Sequence, residues 1–75
     1  MKITRSLDTS GKYCPMPIVE LNKAMGRLAV GEVLEVIATD PGTRTDIPSW
    51  CERTGNRLLG SEETGEGFRY LVEKG

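Results

Sequence analysis

The apolar and polar positions of this chain change period several times, and each change marks an element. In "KITRSLDTS", Ile3, Arg5 and Leu7 alternate with Lys2, Thr4 and Ser6, and the apolar residues at both ends of one face predict a half-exposed strand. From Pro15 to about Leu28, the apolar residues Ile18, Leu21, Met25 and Leu28 recur at helical spacing and predict an amphipathic helix with one apolar stripe. Gly31 breaks that pattern. "EVLEVIATD" then places Leu34, Val36 and Ala38 on one face and Val33, Glu35 and Ile37 on the other, as expected of a well-buried interior strand.

"DPGTR" is turn chemistry, after which Thr45 or a neighbour is expected to cap a short second helix with Asp46 in its first turn and Pro48 tolerated near its start. Ile47, Trp50 and Cys51 share the buried face of that helix. Gly55-Asn56 ends it, since both residue types accept the left-handed conformation that closes many helices. "RLLGSEE", "TGEG" and "FRYLVEKG" read as strand, turn and strand, with Phe68, Tyr70 and Val72 on one face. The order β-α-β-α-β-β predicts an α+β fold: a two-layer sandwich of a mixed four-stranded sheet with both helices on one face. Residues 1–75 read as a single domain without repeats, linkers or low-complexity segments.

Composition narrows the function classes. Hydrophobic residues make up 37% and charged residues 28% of the chain, an ordinary globular balance, but a domain this small has a thin core. Ten basic residues against eleven acidic ones leave a net charge of −1, which gives no electrostatic footprint for direct nucleic-acid binding. No apolar run approaches the length needed for membrane insertion, and "MKITRSLD" carries no signal-peptide core, so a cytoplasmic protein is expected. Two cysteines without a CxxC spacing, in a reducing compartment, argue against a disulfide. With two thiols and no histidine, a closed metal site would need carboxylates or a second subunit, so neither a metal nor another cofactor is expected.

The candidate chemistry lies in "GKYCPMPIVEL". With Pro15 as first helical residue, Cys14 becomes the N-cap, where unpaired backbone N–H groups and the positive end of the helix dipole would favour a thiolate. Pro17 would stiffen the helix entrance, Gly11 would let the preceding loop turn sharply, and Lys12 would add a nearby positive charge. The expected outcome is an exposed sulfur of lowered pKa. A cysteine hydrolase would normally pair its thiol with a histidine, and none is present, which leaves a thiol able to accept and hand on a group. The alternative is a protein-binding or regulatory module in which Cys14 only caps the helix. Cys51, beside Trp50, reads as a packed core thiol. "DPGTRTD" reads mainly as a solvated connection and cap, with Arg44 and Asp46 as secondary, partner-facing candidates.

"LDTSGKYCPMP", "LNKAM", "GEVLEVIATDPGTRTDIPSWC" and "TGNRLL" together resemble the TusA/SirA family of small sulfur-carrier proteins over nearly the whole chain. Leu7, Asp8, Gly11, Cys14, Pro15 and Pro17 fit its Cys-Pro-x-Pro segment, and Asp40, Pro41, Asp46, Ile47, Pro48 and Cys51 fit its second segment. The resemblance implies a sandwich similar to the C-terminal domain of bacterial translation initiation factor three, and a persulfide carried on Cys14. It implies a protein co-substrate, not a stand-alone enzyme, that takes sulfur from a cysteine desulfurase or rhodanese-like donor. The sulfur would pass to a downstream acceptor protein in tRNA thiolation, molybdenum-cofactor biosynthesis, sulfur oxidation or thiosulfate assimilation. Some members are encoded beside a membrane sulfur-compound transporter, a further candidate partner. The carrier itself is expected to be a monomer. One departure is Asn56, where many relatives have histidine after the glycine that ends the second helix.

Overall fold

The computed structural model describes residues 2–75. Its elements are β1 (Arg5–Asp8), α1 (Met16–Met25), β2 (Val33–Ala38), α2 (Thr43–Thr54), β3 (Arg57–Thr64) and β4 (Gly67–Glu73). The four strands form one mixed sheet in the order β1-β2-β4-β3, with β1 parallel to β2 and the other neighbours antiparallel. A parallel pair needs a crossover connection, and α1 supplies it between β1 and β2.

The core forms where apolar rows of neighbouring strands meet under the helices. Leu34, Val36 and Ala38 of β2 stand opposite Val72, Tyr70 and Phe68 of β4 in register. Leu21 and Met25 of α1 and Ile47, Trp50 and Cys51 of α2 close over them, which puts both helices on one face, as expected. Full burial of each Leu, Ile or Val side chain contributes about 1.5–3 kcal/mol before entropy is counted. The other face of the sheet is mixed: among Val33, Ile37 and Leu71, Arg69 reaches Glu35 through Nε at 2.5 Å and Glu62 through Nη1 at 3.1 Å, and Ser6 donates to Glu35. The Arg69 guanidinium, then the Ser6 hydroxyl, hold the Glu35 carboxyl below the usual carboxylate range.

Three boundaries differ from expectation, each for a local reason. β1 starts at Arg5, leaving Ile3 38% exposed, because its parallel partner β2 begins only at Val33. α1 spans Met16–Met25, although Leu28, just beyond it, is still buried in the turn that follows. Its buried stripe begins at Pro17, so this proline is a core residue as well as a stiffener of the first turn.

α2 starts at Thr43 with Gly42 as N-cap, three residues before the Thr45 cap expected. Asp40 sets that start: its Oδ1 accepts the Gly42 N–H at 3.0 Å and its backbone carbonyl accepts the Thr43 N–H at 3.0 Å. Pro48 therefore lies inside the helix and leaves the Arg44 carbonyl without its usual donor. Gly55 closes α2 at φ 75°, as expected, but Asn56 does not share that left-handed conformation. Its side-chain amide instead donates to Thr54 and accepts from the Gly75 N–H.

Candidate functional site

The loop from Ser10 to Met16 is exposed at every residue, between buried Thr9 and buried Pro17. Its shape rests on hydrogen bonds. Thr9 donates both its N–H and its Oγ1–H to the Ile37 carbonyl at 2.8 Å. Gly11, at φ 79°, uses the conformational freedom expected of it and donates its N–H to Thr39 Oγ1 at 2.9 Å. Cys14 donates its N–H to Asp40 Oδ2 at 2.9 Å. The loop is thus tied to the end of β2 and the connection into α2.

Cys14 is free and exposed, but it is not the N-cap. Pro15 occupies that position and Met16 is the first helical residue, so Cys14 lies one residue further from the helix dipole. The expected lowering of its pKa is reversed. Desolvation of the thiolate pushes the Cys14 thiol up, followed by the neighbouring carboxylate of Asp46 and by the charge of Asp40. Lys12 offers little opposition, because its Nζ is paired with Glu20 Oε1 at 3.2 Å on α1.

The two secondary candidates diverge. Asp46, half-buried in the first turn of α2, belongs to the surroundings of Cys14. Arg44 instead lies with its guanidinium 5.9 Å from the centroid of Phe68, beside an open pocket of about 320 Å³ that Tyr70, Ser61, Glu62 and Glu63 help to line. Cys51 is buried on α2, as its place in the helical stripe implies. Tyr13, Met16 and Val19 expose apolar surface on the Cys14 loop and the adjoining turns of α1, Tyr13 to 72%.

Asp40 is the residue that sequence reasoning left out of the site. Its position two residues before Gly42 marks a side-chain-stabilised turn, which was legible. Its second bond, to a residue 26 positions earlier, has no local signature.

Comparison with known proteins places this chain in a family. A family model described as "Sulfurtransferase TusA" matches residues 5–74. The chain belongs to that family. It is 43% identical over 70 residues to the sulfur carrier protein TusA of Allochromatium vinosum, covering 93% of this chain and 92% of that protein. It is 48% identical over 75 residues to the putative sulfur carrier protein YrkF of Bacillus subtilis, all of this chain but only 40% of YrkF. The fold is shared with a SirA-like protein from Desulfitobacterium hafniense, at a TM-score of 0.77 over 92% of this chain and 93% of that one, with 23% sequence identity. Among the described residues of this TusA-family chain, no helix is long and apolar enough to cross a membrane.

Proposed function

We propose that this protein carries sulfur as a persulfide on Cys14, between a donor and an acceptor protein. The observation that carries the reading is the contrast between its two free thiols: one exposed and held on a hydrogen-bonded loop, the other buried. In the loading step the Cys14 thiolate attacks the terminal sulfur of a persulfide on the donor, a cysteine desulfurase or rhodanese-like protein. A new S–S bond forms at Cys14, the donor's S–S bond breaks, and the donor cysteine leaves as a thiolate that takes up a proton. No external oxidant or reductant is needed, because the transferred sulfur keeps its oxidation level. In the unloading step a thiolate of the acceptor attacks the terminal sulfur and Cys14 leaves. Gly11, Lys12, Pro15 and Pro17 act in support by shaping the loop and its entrance into α1. The protein ends each cycle as it began and has no substrate other than the sulfur its partners exchange.

The acidic surroundings of Cys14 bear on the partners. Since Asp46 and Asp40 favour the neutral thiol in the free protein, a partner that covers them with a cationic group would release the proton at docking. Incubation with a cysteine desulfurase and cysteine is expected to add the mass of one sulfur atom to the wild type, at Cys14, and nothing to Cys14→Ser. No mass gain with several competent donors, or a gain that survives Cys14→Ser, would leave the protein-binding module as the better reading.

A further inference from the structure

We propose that Asp40 is the positioning residue for the sulfur on Cys14, its carboxylate bridging the Cys14 and Gly42 N–H groups so that the loop is fixed to the start of α2. The inference rests on the carrier reading above and adds to it a residue that sets the direction of the sulfur. From Ser10 to Met16 the loop has no buried side chain, so packing does not orient it. Two backbone N–H groups of that stretch tie it to the segment that follows β2: Gly11 donates to Thr39 Oγ1 and Cys14 to Asp40 Oδ2, at 2.9 Å each. The second is made by the residue that bears the sulfur.

Asp40 is itself held from behind. Thr43 Oγ1 donates to the Asp40 carbonyl at 2.7 Å, which uses the only hydroxyl proton of Thr43. In the buried contact of 2.8 Å between Thr43 Oγ1 and Tyr70 Oη, Tyr70 is therefore the donor. A directed chain runs from Tyr70 on the central strand β4, through Thr43 and Asp40, to the backbone of Cys14. Such support matters for group transfer, where a nucleophile misplaced by about 1 Å can lose about a hundredfold in rate.

The two effects of Asp40 oppose each other, and this makes the proposal testable. Its charge disfavours the thiolate, whereas its hydrogen bond aims the sulfur. Asp40→Ala removes both. Alkylation of Cys14 by iodoacetamide, which reads the thiolate fraction and is tolerant of direction, should then be as fast as in wild type or faster. Sulfur loading from a desulfurase should fall about 10- to 100-fold. In the same variant the Cys14 amide proton should move upfield in the NMR spectrum and exchange faster with solvent. Asp40→Asn, which keeps one carbonyl oxygen for two N–H donors, should show a smaller loss of loading with the same gain in alkylation, and it decides the matter should the alanine variant not fold. Loading at the wild-type rate in either folded variant, or an unmoved Cys14 amide in Asp40→Ala, would overturn the proposal. If the wild type itself accepts no sulfur, the carrier reading fails, while the amide signal still reports whether Asp40 holds Cys14.

Discussion

Cys14 stands on a loop whose neighbours are all exposed, while Cys51 is 3% exposed, packed with Ile47 and Trp50 on the inner face of α2. Both thiols are pushed above the ordinary thiol range. At Cys51 burial is the cause, and at Cys14 desolvation is joined by the charges of Asp46 and Asp40. Acidity therefore does not separate a sulfur suited to transfer from a structural one in this fold. Access does, since Cys14 is exposed and Cys51 buried, and on our proposal direction does too, through the loop's hydrogen bonds to Thr39 and Asp40.

The largest expected effect breaks the comparison at its base. In the folded protein Cys14 should react with iodoacetamide more than about a thousandfold faster than Cys51, because Cys51 must wait for an opening that costs a large share of a global stability of ~5 kcal/mol. Time-resolved mass spectrometry of the two labelled peptides measures the ratio. Rates within tenfold of each other would mean that α2 opens readily and that burial does not protect Cys51.

How much of this was legible in the sequence follows the range of the interactions. The stripe of Leu21, Met25 and Leu28 and the alternation of Leu34, Val36 and Ala38 are local periodicities, and they predicted which faces are buried. The exposed cysteine before Pro15 was equally legible. The N-cap of α2 lies three residues before the expected Thr45 because Asp40, Gly42 and Thr43 build a turn from a side chain and a carbonyl, leaving no side-chain cap for a motif to reveal. The direction of the Cys14 shift was missed for a different reason. Lys12 is near in sequence and visible, whereas Asp40 and Asp46 arrive only when the chain folds back, and the partner of Lys12 is Glu20 on α1.

A second test sharpens the structural side of the comparison. Cys51→Ala should cost about 1–2 kcal/mol through a small cavity beneath Trp50, read from the denaturant midpoint, and should leave sulfur loading at Cys14 intact. Its pH dependence has a definite sign. The folded Cys51 resists ionisation, so the unfolded chain releases this proton first, and the associated stability is fully present below the unfolded pKa of about 8.5 and is lost as pH rises above it. Wild-type stability should therefore decline more steeply above that pH than the stability of Cys51→Ala. Parallel declines would show that burial of this thiol has no weight in the alkaline limb.

The smallest expected effect separates charges that reach Cys14 from one that does not. Asp46→Asn removes the leading anionic neighbour, so the thiol should ionise at lower pH and its alkylation near pH 8 should accelerate. The gain should be only about two- to fivefold, since a thiolate of lower pKa is also a weaker nucleophile and cancels roughly half of the increase in its population. Salt should shrink the gain further, because exposed charges are screened over about 10 Å at 0.1 M ionic strength. Lys12→Ala should change the same rate hardly at all, its ammonium being held 3.2 Å from Glu20 Oε1 and so largely balanced as seen from the sulfur. Thiolate absorbance against pH, recorded for both variants at low and moderate salt, gives the comparison directly. A clear rise in the Cys14 pKa of Lys12→Ala would restore the lysine as an activating charge, and an unshifted curve in Asp46→Asn would leave desolvation and the charge of Asp40 as the causes of the raised value.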